Sequence, residues 1–209
     1  MNLPGTNLWE TPEHALDYLR RLDTIPRRGE GEATLVDFIP ANARRILDLG
    51  TGAGRLLAVV KQARPQAQFV GLDFSQTMLV EVRKQFESDR NVTVVEHNFE
   101  QPLPSMGSFD GVISGFAIHH LVHPRKRSLY AEIFGILNSG GVFYNLDHVS
   151  APTARLHADF LKAIRRETED PENKLLDLFT QLQWLNEIGF IDVDCHWKWR
   201  EFALFGGVK

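Results

Sequence analysis

The residue types best suited to chemistry fall into two groups, a pair of acids set around glycines and two histidine-bearing segments. Asp48 stands ahead of three glycines at alternate positions, in Ile46-Leu47-Asp48-Leu49-Gly50-Thr51-Gly52-Ala53-Gly54-Arg55-Leu56-Leu57, and Asp73 follows an apolar stretch at 68–72. Glycines let the backbone turn sharply and approach a ligand where a Cβ would collide. A carboxylate fixed at the end of a strand, as Asp73 would be, suits the two hydroxyls of a ribose. A nucleoside ligand is therefore expected. Dinucleotide turns read G-x-G-x-x-G and set a helix N-terminus against a pyrophosphate. Here the last glycine comes one place earlier and an acid precedes the first, which suits a cationic ligand group better.

The histidines lie in Ser114-Gly115-Phe116-Ala117-Ile118-His119-His120-Leu121 and in Asp147-His148. A neutral imidazole at His119 can accept a substrate proton near physiological pH. His148 is the second candidate base, with Asp147 available to orient it. No metal is expected, because helical H-x-x-x-H spacing and a carboxylate pair are both missing from the sequence.

For these groups to meet, the chain must bring several strand ends together. Apolar periodicity predicts strands at 45–49, 68–72, 92–96, 109–114 and 141–147, with helices at 55–63, 76–86 and 126–136 between them. Such alternation argues for a parallel sheet covered on both faces, whose ligands bind beyond the strand C-termini. Leu178, Leu182, Leu185 and Ile188 then keep helical spacing up to Gly189, and strands follow at 191–198 and 200–208. With no room for a crossover, those last two strands must be antiparallel. At the other end, residues 9–22 read as an amphipathic helix with Thr11 as N-cap and Pro12 in its first turn, and Arg27-Arg28 leads into a second helix ending near Pro40.

Taken together these segments resemble the class I S-adenosylmethionine-dependent methyltransferases. The first motif is the glycine turn itself. Asp73-Phe74-Ser75-Gln76-Thr77-Met78-Leu79 is similar to the family's D-x-S-x-x-M-L, Phe109-Asp110-Gly111-Val112-Ile113-Ser114 to its fourth strand, and Ile136-Leu137-Asn138-Ser139-Gly140-Gly141-Val142-Phe143 to its L-K-P-G-G turn into a fifth. The resemblance implies a Rossmann-like α/β fold, a seven-stranded, mostly parallel, doubly wound sheet with a C-terminal antiparallel β-hairpin. It implies S-adenosylmethionine as cofactor and S-adenosylhomocysteine as product. Asp48 would hold the cofactor's amino group, directly or through water, with Gly50, Gly52 and Gly54 under its methionine chain. Asp73 would take the ribose, Phe74 and Met78 would pack nearby, and Asn98 and Phe99 would meet the adenine. Ser114 would line the methionine end, and Tyr18 and Arg28, with Arg27, would reach the carboxylate.

The expected organisation is one methyltransferase domain over 1–209, made of an N-terminal helical cap (1–43), a cofactor-binding core (44–149), a substrate lid (150–176) and a C-terminal helix and hairpin (177–209). The expected activity is methyl transfer to a small molecule. Carboxymethyl-cofactor chemistry, tRNA or protein methylation and a non-catalytic cofactor-binding subunit remain as alternatives, and a nicotinamide-dependent oxidoreductase ranks last. With 209 residues and 43% hydrophobic content the chain can bury one good core. A net charge of −4 without a lysine or arginine block argues against a nucleic-acid partner. Cys195, the single cysteine, excludes an internal disulfide. No apolar run reaches membrane length and no basic-then-apolar leader pattern opens the sequence, so a cytoplasmic location is expected, with a homodimer left open.

Overall fold

Residues 8–209 are described by a computed structural model. Strands β1 (Arg45–Leu49), β2 (Gln68–Asp73), β3 (Val92–Glu96), β4 (Phe109–Gly115), β5 (Leu137–His148), β6 (Ile191–Trp199) and β7 (Phe202–Val208) form one sheet in the order β3-β2-β1-β4-β5-β7-β6. β1 pairs in parallel with β2 on one side and β4 on the other. Being covered on both faces, it carries Ile46, Leu47 and Leu49 fully buried, which is why it reads as an apolar run rather than an alternation. β7 inserts antiparallel between β5 and β6. The chain winds outward from β1 through β2 to β3, then returns to β4 on the opposite side. That reversal opens a crevice beyond the ends of β1 and β4, where open α/β sheets bind ligands.

Helices α1 (Pro12–Arg21), α2 (Arg28–Phe38), α3 (Arg55–Ala63), α4 (Gln76–Gln85), α5 (His123–Ile136), α6 (Ala154–Ala163) and α7 (Leu178–Ile188) accompany the sheet. One core, containing Leu47, Leu129, Phe143 and Leu185, joins the sheet to α5 and α7. The other, containing Leu35, Leu57, Ile113 and Phe160, joins it to α2, α3 and α6. No helix among the described residues is long and apolar enough to cross a membrane.

Several boundaries differ from expectation for local reasons. α5 starts at His123 rather than 126, since Pro124 is tolerated in a first turn. The stretch expected as one helix at 9–22 breaks into a 3-10 turn at Leu8–Glu10, α1, and a second 3-10 turn at Leu22–Thr24. Thr11 occupies the cap position, but its hydroxyl donates back to the Leu8 carbonyl at 2.6 Å. The segment expected as a lid holds α6 followed by an irregular stretch. In the hairpin, Arg200 (φ 53°) and Glu201 make the turn, so β7 begins at Phe202 rather than 200.

Two glycines of the turn, Gly50 and Gly54, are required by both conformation and space. Gly50 has φ 70°, and a Cβ there would lie 2.2 Å from the Ala117 Cβ. Gly50→Ala should therefore destabilise the protein by roughly 2 kcal/mol or more, combining left-handed strain with overpacking. A shifted urea midpoint with an unchanged slope is the expected readout, and an unmoved midpoint would refute this packing.

Candidate cofactor cleft and acceptor cavity

The turn after β1 is pinned to its neighbour before any ligand arrives. Gly50 N and Thr51 N donate to the Leu72 carbonyl at 2.8 and 3.0 Å. Asp73 accepts from Gly52 N through Oδ2 at 2.8 Å and from Ser75 N through Oδ1 at 2.9 Å. Burial raises the Asp73 carboxyl above its ordinary range, against the opposing pull of those backbone donors. Gly52 has φ 54°, and a Cβ on it would meet nothing closer than Met78 Sδ at 4.0 Å. The space above Gly52 is cleft. Gly54 faces elsewhere. At the mouth of α3, its Cβ would strike Phe86 at 2.7 Å and Val82 at 2.9 Å, so this glycine permits packing on α4 and does not line the cleft.

Asp48 lies beneath the turn, 1% exposed. Its Oδ2 accepts from Thr51 Oγ1 at 2.7 Å, while Oδ1 is buried without a hydrogen-bond partner. Burial pushes its carboxyl up to about 7, with Thr51, Arg28 and the Leu57 backbone N–H opposing and Asp73 adding to the rise. Asp48 does not itself line the cleft; Gly50, Thr51 and Gly52 above it do, and its buried Oδ1 is a costly atom to leave without a donor.

Phe74, Met78, Asn98 and Phe99 line the same cleft, with Gly50 and Gly52. Asn98 Oδ1 accepts from the Glu100 N–H at 2.9 Å, and its amide Nδ2 is a donor free to meet a ligand. Ser114 is placed away from the cleft. It is fully buried and its hydroxyl donates to the Leu49 carbonyl at 2.8 Å, and Gly115, Phe116 and Ala117 form the wall instead. Tyr18 and Arg28 do reach the cleft. Arg28 Nε donates to Glu32 at 2.7 Å and Nη1 to Tyr18 Oη at 2.9 Å, and its guanidinium lies over the Phe116 ring. Arg27 is exposed and pairs with Glu30. The cleft encloses 80 Å³, well below the roughly 300–1,000 Å³ typical of small-molecule sites. Trp9, Tyr18 and Leu22, which form its N-terminal wall, must draw back to admit a nucleoside.

A second cavity of 990 Å³ adjoins the first, sharing Trp9, Tyr18, Phe116 and His120 with it. Its walls include His119, His148, Phe202 and residues 163–171. Asp147 Oδ1 lies 2.5 Å from His119 Nδ1. Burial alone would raise the Asp147 carboxyl, but His119 and Lys126 hold it below its ordinary range, so it stays ionised. An Nδ1–H donated to that carboxylate leaves the His119 lone pair on Nε2. Asp147 was expected to orient His148. Successive strand residues point to opposite faces, so Asp147 meets the loop after β4, and His148 meets Glu201 at 3.1 Å instead. His120 is held neutral, its pKa pushed well below the usual histidine value by burial and by His119.

Three functional-looking residues escaped the sequence reading. Lys126, 1% exposed, donates to the carbonyls of His119, Leu121 and Lys174 at 3.0, 2.6 and 2.7 Å, tying the histidine loop to the segment after α6. Glu201 and Glu169 approach His148 from the hairpin turn and from that same segment. A charged residue in a helix or turn gives no local sign that it is buried, so no spacing pattern revealed them.

Switch-point crevice, glycine turn and terminal antiparallel strands define the fold of the class I methyltransferases. Solved structures agree on that architecture. An O-methyltransferase family protein from Burkholderia thailandensis superimposes with a TM-score of 0.74 at 21% identity, over 95% of this chain and 59% of that one. Human N-acetylserotonin methyltransferase, solved in complex with SAM, gives 0.71 at 17% identity, over 97% and 57%. Residues 46–141 match the family model described as a methyltransferase domain. That match takes in just under half of the chain, and the sheet around it has the class I methyltransferase fold. Among its relatives, the ubiquinone/menaquinone biosynthesis C-methyltransferase of Desulfotalea psychrophila is 31% identical over 50% of this chain and 42% of its own length. The malonyl-[acyl-carrier protein] O-methyltransferase of Legionella pneumophila is 32% identical over 51% and 38%. The chain thus spans less than half the length of these relatives.

Proposed function

We propose that this chain binds S-adenosylmethionine in the cleft over Gly52 and transfers its methyl group to a small-molecule acceptor held in the 990 Å³ cavity. The unpartnered Oδ1 of Asp48, directly beneath the glycine turn that lines the cleft, carries the reading, because a cofactor amino group settling on that turn would bring it a cationic donor. Asp73 offers its carboxylate to the ribose, Phe74, Met78 and Phe99 give an apolar setting for the adenosyl group, and Asn98 Nδ2 can donate to the base. The cofactor supplies an already activated methyl on a sulfonium. What remains for the protein is to orient the acceptor, exclude water and accept a proton where the acceptor carries one. His119, aligned by Asp147, is the proposed base. His148, turned to Glu201, is demoted as a base. Residues 150–176 serve as the acceptor's cover in this reading.

The proposed setting is cytoplasmic, in keeping with a lone free cysteine, Cys195. A small-molecule partner is favoured over nucleic acid, because the net charge is −4 and no basic block runs along the sequence. Gel filtration would test the homodimer. Mass spectrometry of any ligand retained through purification tests the function: S-adenosylmethionine or S-adenosylhomocysteine supports it, and a nicotinamide dinucleotide would overturn it.

Two variants test the cleft itself. Asp73→Ala removes charge-assisted acceptors worth about 1.5–3 kcal/mol, so cofactor affinity should fall roughly 10- to 100-fold with the fold intact. Gly52→Val sets a branched side chain into the cleft at a positive φ and should weaken binding at least about tenfold. Parent-like affinity in either variant, measured by calorimetry, would move the ribose or the methionine chain away from these residues.

A further inference from the structure

We propose that His148, Glu169 and Glu201 bind a divalent transition-metal ion in the wall of the larger cavity. One donor atom from each lies within 4.8 Å of the other two. His148 Nε2 is 3.1 Å from Glu201 Oε2 and 3.9 Å from Glu169 Oε2. An ion about 2.0–2.2 Å from nitrogen and oxygen ligands sets them roughly 3–4 Å apart, so the three need little adjustment to converge on one.

The surroundings point the same way. Glu169 Oε1 is engaged by Asn173 Nδ2 at 2.6 Å and by the Asp170 N–H at 2.8 Å, whereas Oε2 is buried without a hydrogen-bond partner and is turned toward the two imidazoles. His157 Nδ1 lies 3.1 Å from both oxygens of Glu201 and holds that carboxylate in place. Glu201 and His148 are 3% and 5% exposed. Among the described residues no lysine or arginine pairs with either glutamate, only His148 and His157. Glu169 is 27% exposed at the cavity wall with its Oε2 buried, and two carboxylates brought this close need positive charge, which a divalent ion provides. An imidazole in the set favours zinc, manganese or iron over magnesium or calcium.

Three protein ligands leave a coordination position open, as in catalytic rather than structural sites. His148 and Glu169 line the cavity and Glu201 does not, so the open position faces the cavity, on the wall shared with His119. A ligand taken there would carry an oxygen donor such as a hydroxyl, enol or carboxylate. The site stands on its own residues, whatever the fate of the methyl-transfer reading.

Untagged protein stripped with chelator would be titrated with zinc and with manganese chloride by calorimetry, and cobalt would be added for its visible spectrum. One equivalent per chain, a raised Tm and cobalt bands of a four- or five-coordinate ion are expected. Glu169→Gln, a near-isosteric change at a partly exposed position, should bind at least tenfold more weakly, and His148→Ala likewise. The surface variant His123→Ala should bind as the parent does. Absence of both zinc and manganese binding in the parent, or parent affinity in Glu169→Gln, would overturn the site.

Discussion

His119→Ala should slow single-turnover methyl transfer by about 10²- to 10⁴-fold at saturating cofactor, for any acceptor that must lose a proton. The basis is geometric. His119 lines the larger cavity, its Nδ1 is 2.5 Å from the carboxylate of Asp147, and Lys126 anchors its backbone carbonyl. Asp147→Asn keeps the shape but replaces the carboxylate with a group that can stabilise no imidazolium, so most of the same loss is expected. Cofactor affinity should change little in either variant, since neither residue lines the cofactor cleft. Undiminished rates in both would reduce catalysis to positioning, with no base at His119.

The second large effect belongs to Asp48. Its carboxyl is raised to about 7 by burial, and in the proposed complex the cofactor's ammonium would favour the ionised form. Below that pH, binding must expel a proton, so affinity should fall by up to about tenfold per pH unit as the solution is acidified, and level off above it. At the midpoint about half a proton should be released per cofactor bound, visible as a buffer-dependent heat. The cofactor's own amino group, ordinarily near about 7.7–8.0, also titrates in this region. Asp48→Asn retains that titration alone, so the difference between parent and variant isolates Asp48. The variant should also bind roughly 10- to 100-fold more weakly above neutrality, having lost a charged hydrogen bond. Without cofactor the sign is opposite. A carboxyl raised in the folded state favours folding at low pH, and that contribution is lost as pH rises through about 7. Identical pH profiles in parent and variant would remove Asp48 from the site.

Much of this fold could be read from the chain because its strands are short, apolar and separated by glycines. β1, β3 and α3 have the bounds that periodicity assigns, and the closeness of the last two strands already required an antiparallel pair. Gly52, Asp73, Phe74 and Met78 stand at the cleft because their places depend on a strand end and the turn beside it. Ser114 and Gly54 point elsewhere because the side a residue faces at the end of an element depends on packing, against Leu49 in one case and α4 in the other. The partnership of Asp147 with His119, and the gathering of Glu169 and Glu201 on His148, join segments far apart in the chain. Only the folded sheet brings them together.

Calorimetric titration of the chelator-treated protein with S-adenosylmethionine, S-adenosylhomocysteine and NADH in parallel tests the central claim most directly. Both adenosyl compounds should give saturable heat at one site per chain, lost or weakened in Asp73→Ala, and NADH none. Binding of NADH with no heat from either adenosyl compound would contradict it.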